Sequence, residues 1–89
     1  MYLVEWSQLA VDRLTQLLTS LTPGDWERVV AAVNLLDSLL AEDPLGQGES
    51  RSANDRVTFV EPLGVLFEVN AADRRVNVLA AWWLRSRNR

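Results

Sequence analysis

Cysteine, histidine and lysine are all absent from this sequence of 89 residues. Without Cys there is no disulfide scaffold and no thiolate zinc site. Without His the commonest metal ligand and the usual general base are gone, which excludes Ser-His-Asp, Cys-His and HExxH chemistry. Long apolar runs are missing too. The longest, Val78 to Leu84, falls far short of the roughly 20 residues of a membrane span. Met1 leads straight into Tyr2-Leu3-Val4-Glu5 with no charged leader, so no signal peptide is expected. A cytoplasmic chain with no membrane segment, no metal site and no cofactor is the expectation.

What is present is apolar and acidic. Hydrophobic residues make up 48% of the chain, too many for a disordered segment, and the length suits a single domain over 1–89. Nine Arg against twelve acidic residues leave a net charge of −3, which argues against a strong nucleic-acid binder. The charge is polarised, however. From Arg74 onward the chain carries Arg74, Arg75, Arg85, Arg87 and Arg89 and no acid.

Hydrophobic period assigns the elements. Tyr2 to Trp6 alternates as a strand, and Ser7 is placed to cap a helix. Ala10, Leu14, Leu17, Leu18 and Leu21 recur at helical spacing. Thr22-Pro23-Gly24-Asp25 is a joint with an N-cap, a first-turn Pro and an acid three residues after the cap. Trp26, Val29, Val33, Leu36 and Leu40 then make a second helical stripe, widened by Val30, Leu35 and Leu39. Pro44 ends that helix near Glu42. Residues 44–55 lack any period and form a loop. Arg56 to Val60, Val65 to Asn70 and Arg75 to Trp83 read as strands, with a type I turn over Glu61-Pro62-Leu63-Gly64. The fold class expected is α+β: order β-α-α-β-β-β, with an N-terminal helical hairpin on one face of an antiparallel sheet that the first strand joins.

Side chains alternate across a strand, so each strand sorts into two faces. Val57, Phe59, Val65, Phe67, Val69, Val76, Val78, Ala80 and Trp82 are expected under the helices. Arg56, Thr58, Val60, Leu66, Glu68, Asn70, Asn77, Leu79, Ala81, Trp83 and Arg85 are expected on the open face. That face would hold the convergent polar groups, with Arg56 and Glu68 as a cross-strand ion pair contributing under about 1 kcal/mol or as part of a site. Trp83 beside Arg85 and Arg87 could stack on a base while guanidinium groups hold phosphate, or anchor a protein interface. The acidic balance favours the protein interface.

The order of motifs resembles the RelE/ParE toxin superfamily of bacterial toxin–antitoxin modules. Val4-Glu5-Trp6-Ser7 followed by the helix from Ala10 to Leu21 is similar to the family's entry into its first helix. Leu39-Leu40-Ala41-Glu42-Asp43-Pro44-Leu45-Gly46 is similar to its L-x-x-x-P-x-x-G stretch. Arg56-Val57, Pro62-Leu63-Gly64-Val65-Leu66-Phe67-Glu68-Val69 and Arg75-Val76-Asn77-Val78-Leu79-Ala80 are similar to its paired strands.

The resemblance implies a toxin neutralised by a cognate antitoxin, with which it would form a hetero-oligomer, or otherwise a dimer. RelE-like members cut mRNA on the ribosome without a metal, which is the mode expected of this chain if active, and ParE-like members inhibit DNA gyrase, which is the alternative. A plasmid-stabilisation role belongs to the same resemblance. Carried over by position, Arg56, Arg85 and Glu68 would serve an mRNA interferase as catalytic groups, and Trp83, Arg87 and Arg89 would bind. Gly64 stands where the family often has Arg, and the only Tyr is Tyr2. A catalytically degenerate interaction module is the further alternative.

Overall fold

The structure is a computed structural model that describes residues 1–84. Its elements are β1 (Leu3–Trp6), α1 (Gln8–Thr19), α2 (Pro23–Glu42), a 3-10 turn (Pro44–Gly46), β2 (Glu49–Ser50), β3 (Asp55–Val60), β4 (Leu63–Asn70) and β5 (Arg75–Trp83). The expected α+β order is present. One short strand, β2, is added on the outer edge of β3. The five strands lie in the order β1-β5-β4-β3-β2. β3, β4 and β5 form the antiparallel meander, whereas β1 runs parallel to β5, so the sheet is mixed.

Both helices start as their sequences dictate. Ser7 Oγ accepts from the Ala10 amide at 3.2 Å, and Thr22 Oγ1 accepts from the Asp25 amide at 3.2 Å. Each bond satisfies one of the amides that a first helical turn leaves without a partner. Asp43 ends α2 and caps the 3-10 turn that Pro44 begins. One face of α2 buries Val29, Ala32, Leu36 and Leu40, while Trp26 and Leu35 stay exposed. The indole Nε1 of Trp6 donates to Asp37 Oδ1 at 2.8 Å and the Tyr2 amide to the Ala41 carbonyl at 2.7 Å, fastening α2 to β1.

The core lies between the helices and one face of the sheet. Leu63, Val65 and Phe67 of β4 and Val76 and Val78 of β5 are fully buried there against Ala10, Val29, Leu36 and Leu40. These β4 and β5 residues face the helices as expected, with the addition of Leu63. Two register features correct the rest of the face assignment.

The first correction is in β3. Val60 pairs directly with Leu63, so the connection is only Glu61-Pro62, joined by a cis peptide bond, and Leu63-Gly64 belong to β4 rather than to a type I turn. An even number of loop residues puts even-numbered β3 positions on the face of odd-numbered β4 positions. Arg56, Thr58 and Val60 therefore share the helix-side face with Phe67, Val65 and Leu63, and Val57 and Phe59 turn to the open face. This reverses the expected β3 assignment.

The second correction is in β5. Phe67 pairs with Val78 but Leu66 pairs with Ala80, which leaves Leu79 as the extra residue of a bulge. One extra residue flips every side chain beyond it. Ala81 and Trp83 thus turn into the core, while Ala80 and Trp82, expected inside, turn out. The bulge sits where β1 stops. The Ser7 amide donates to the Val78 carbonyl at 2.8 Å, and Ser7 Oγ donates to the Leu79 carbonyl at 3.2 Å. From there α1, not a strand, accompanies β5. Ser7→Ala removes the cap and the Leu79 bond together, and is expected to lower unfolding stability by about 1–2 kcal/mol in urea denaturation.

Candidate functional site

The sheet face away from the helices carries four cross-strand rows of side chains, the outermost being Asn70, Arg75 and Leu3. Phe59, Gly64 and Trp82 form one row, and Glu49, Val57, Leu66 and Ala80 the next. Asp55, Glu68, Asn77 and Glu5 form the third. Strand geometry makes this ordering unavoidable once register is fixed, because residues two apart on a strand point the same way.

The aromatic row is built around its glycine. A Cβ on Gly64 would lie 2.5 Å from Trp82 Nε1, so the indole lies against bare backbone. Phe59 meets the Trp82 ring edge-on, with centroids 6.4 Å apart and planes at 78°. That arrangement suits the aromatic quadrupole and holds both rings in place. Phe59 nonetheless remains 55% exposed and Trp82 37% exposed. The position where the resemblance calls for Arg is thus occupied by the residue that Trp82 requires.

The expected catalytic pair does not meet. Arg56 lies on the helix side of the sheet, where its Nε donates to the Gln47 carbonyl at 2.9 Å and its Nη2 to the Gly48 carbonyl at 3.1 Å. Glu68 lies exposed on the opposite face, across from Asp55 and Asn77. The expected Arg56–Glu68 ion pair is therefore absent. The ion pairs among the described residues are Arg28–Asp25 at 3.2 Å and Arg75–Glu5 at 3.3 Å. Trp83, expected on the open face, is half-buried against the core, and Trp82 takes its place outside. Arg85, Arg87 and Arg89 lie outside the described residues.

Sequence reasoning did not single out Phe59, Trp82, Glu49 or Asp55. The parity of the Glu61-Pro62 loop was the signal for Phe59, and the end of β1 at Ser7 the signal for Trp82. A second feature also went unread: an open groove of about 260 Å³ between α1 and the end of β5, lined by Arg13, Gln16, Leu17, Ser20, Trp82 and Trp83. Among the described residues no cluster of three Asp or Glu could hold a metal ion, and no helix is long and apolar enough to cross a membrane.

This architecture, two helices on one face of a five-stranded sheet, is similar in fold to chains of solved RelE and ParDE toxin–antitoxin structures. The superposition covers 92% of this chain and 90% of a chain in the RelBE2 toxin–antitoxin complex of Mycobacterium tuberculosis, with a TM-score of 0.73 at 19% identity. Against the chromosomal ParDE system of P. aeruginosa it covers 96% of this chain and 98% of that one, at TM-score 0.72 and 17% identity. Against the isolated E. coli RelE toxin the figures are 98% and 88%, 0.66 and 11%. No family model and no curated protein matches the sequence. The fold implied by the sequence resemblance is thereby established.

Gly64→Ala is expected to push the Trp82 indole off the sheet. The check is intrinsic fluorescence: emission shifts to the red as the ring gains solvent, with a stability loss of about 1–3 kcal/mol.

Proposed function

We propose that this chain is the toxin of a type II toxin–antitoxin module, held inactive by a protein antitoxin that covers its exposed apolar surface. The observation that carries this reading is the fold likeness, which runs nearly the full length of both chains for RelE-type and ParE-type structures alike. The surface supports it as well. Trp26, Leu35, Phe59 and Trp82 are all more than a third exposed, and exposed large apolar groups mark partner surfaces.

Two modes of action follow from the resemblance: ribosome-dependent mRNA cleavage and inhibition of DNA gyrase. Metal-independent cleavage needs cationic groups around the phosphate and an acid–base pair at the ribose oxygens. Arg56 and Glu68 lie on opposite sides of the sheet, so a nuclease reading rests on Arg85, with Arg87 and Arg89 holding RNA. The separation of Arg56 from Glu68 favours the gyrase reading, in which the chain acts by binding alone.

The module is tested by induced expression with and without the product of the adjacent reading frame. Growth arrest that the neighbour relieves is expected, and undisturbed growth without the neighbour would leave an inert interaction module instead. The mode is tested with purified protein. Loss of gyrase supercoiling with no new 5′ ends on translated mRNA is expected. New ends that vanish in Arg85→Ala, with supercoiling intact, would assign the nuclease instead.

A further inference from the structure

The open face combines two kinds of chemistry at fixed spacing. Phe59 and Trp82 form an exposed aromatic ledge, and the next row adds the part-exposed Leu66 and Ala80, with Val57 of the same row buried. Carboxylates flank this apolar strip. Glu49 stands at its β2 end, and Asp55 and Glu68 lie side by side in the row beyond. The only Arg at an outward position of the five strands is Arg75, and Glu5 already pairs with it at 3.3 Å. Adjacent rows are about 7 Å apart, the advance of two residues along a strand.

From this we infer, resting on the reading of this chain as a toxin held by a protein antitoxin, that the part of the antitoxin covering the open face is a cationic peptide segment, anchored by a large apolar side chain on the Phe59–Trp82 ledge. Charge complementarity selects the occupant. At the two carboxylate rows phosphates would meet Glu49, Asp55 and Glu68, and among the described residues the strands offer no unpaired outward guanidinium to compensate, which disfavours RNA or DNA there. An extended segment advances about 7 Å every second residue. With its apolar anchor on the ledge, its side chains two and four residues on reach the Glu49 row and the Asp55–Glu68 row. Arg or Lys at those positions would meet carboxylates, and the aromatic ledge would exclude water around the anchor.

The test uses the full chain, isotope-labelled, titrated with three probes: a Leu-Arg peptide of sequence Leu-Ser-Arg-Ser-Arg, which puts Arg two and four residues after the anchor, its counterpart Leu-Ser-Glu-Ser-Glu, and a single-stranded oligouridylate of matched length. The Leu-Arg peptide is expected to bind with amide shifts centred on Phe59, Gly64, Leu66, Glu68 and Trp82. Affinity should fall about tenfold in the double variant Glu49→Arg/Glu68→Arg and again in Phe59→Ala. Both acidic positions are exposed, so the charge reversals leave the core untouched. The same charge change on the helices, Asp12→Arg/Glu27→Arg, should alter affinity less than about twofold if the open face is the site. Equal affinity in parent and Glu49→Arg/Glu68→Arg protein, shifts centred on the helices, or tighter binding of oligouridylate than of the Leu-Arg peptide would each overturn the inference.

Discussion

The end of β1 at Ser7 is the constraint on which the rest of the molecule depends. β1 lies at the sheet edge and pairs with only the first half of β5. Where it stops, Ser7 binds two successive carbonyls of β5 and starts α1 with the same hydroxyl. Donating to Leu79 and accepting from Ala10 through one Oγ couples the strand's irregularity to the helix's first turn. β5 absorbs the change of neighbour, from strand to helix, with a bulge at Leu79. Everything beyond the bulge inherits its parity: Ala81 enters the core, Trp83 packs beneath α1, and Trp82 is delivered to the open face.

That delivery explains the chemistry of the open face better than composition does. Trp82 needs a neighbour without a side chain, and the cross-strand position opposite it is Gly64. Any larger residue there would displace the indole and with it the contact to Phe59. The absence of Arg at position 64 thus has a packing reason within this chain, independent of any loss of activity. The register that exposes Phe59 also turns Arg56 to the other side, where two loop carbonyls engage it. One pair of register choices exchanges a basic face for an aromatic and acidic one.

Much of the fold was legible in the sequence because it rests on local chemistry. Ser7 and Thr22 have the oxygen that helix starts require, Pro44 ends α2 where its ring must, and the 3.6-residue period located both helices. β4 and the first half of β5 were legible as well, since Val65, Phe67, Val69, Val76 and Val78 alternate cleanly. β3 misled because Val57 and Phe59 are apolar yet face outward, while Arg56 and Thr58 face the helices. Apolarity decides a face only where water lies on one side and core on the other, and this open face is itself apolar at one end. The two-residue loop carried the answer, and a register is set by its turn before its side chains. β5 misled for a different reason. Nothing local to Leu79 marks a bulge. The hydroxyl bonded there, that of Ser7, lies 72 residues away in sequence.

The Arg-only use of positive charge fits what these side chains do. Arg56 reaches the Gln47 and Gly48 carbonyls through two different nitrogens, Arg75 meets Glu5 across a parallel strand pair, and Arg74 lies 5.8 Å from the Tyr2 ring centre. Of these, the Arg56 contact uses the planar, multi-donor guanidinium, and a lysine ammonium would not reproduce it in full. At Arg56 the difference is geometric. The fork bridges successive carbonyls of the segment leading into β2, so it ties that edge strand to β3 as a staple would. Arg75 is offset by Glu5, whereas Arg56 and Arg74 are structural ties held by neutral groups and keep their full positive charge. Among the described residues the outward carboxylates Glu49, Asp55 and Glu68 have no ion-pair partner, and their sign selects what docks on these rows by repulsion as much as by attraction.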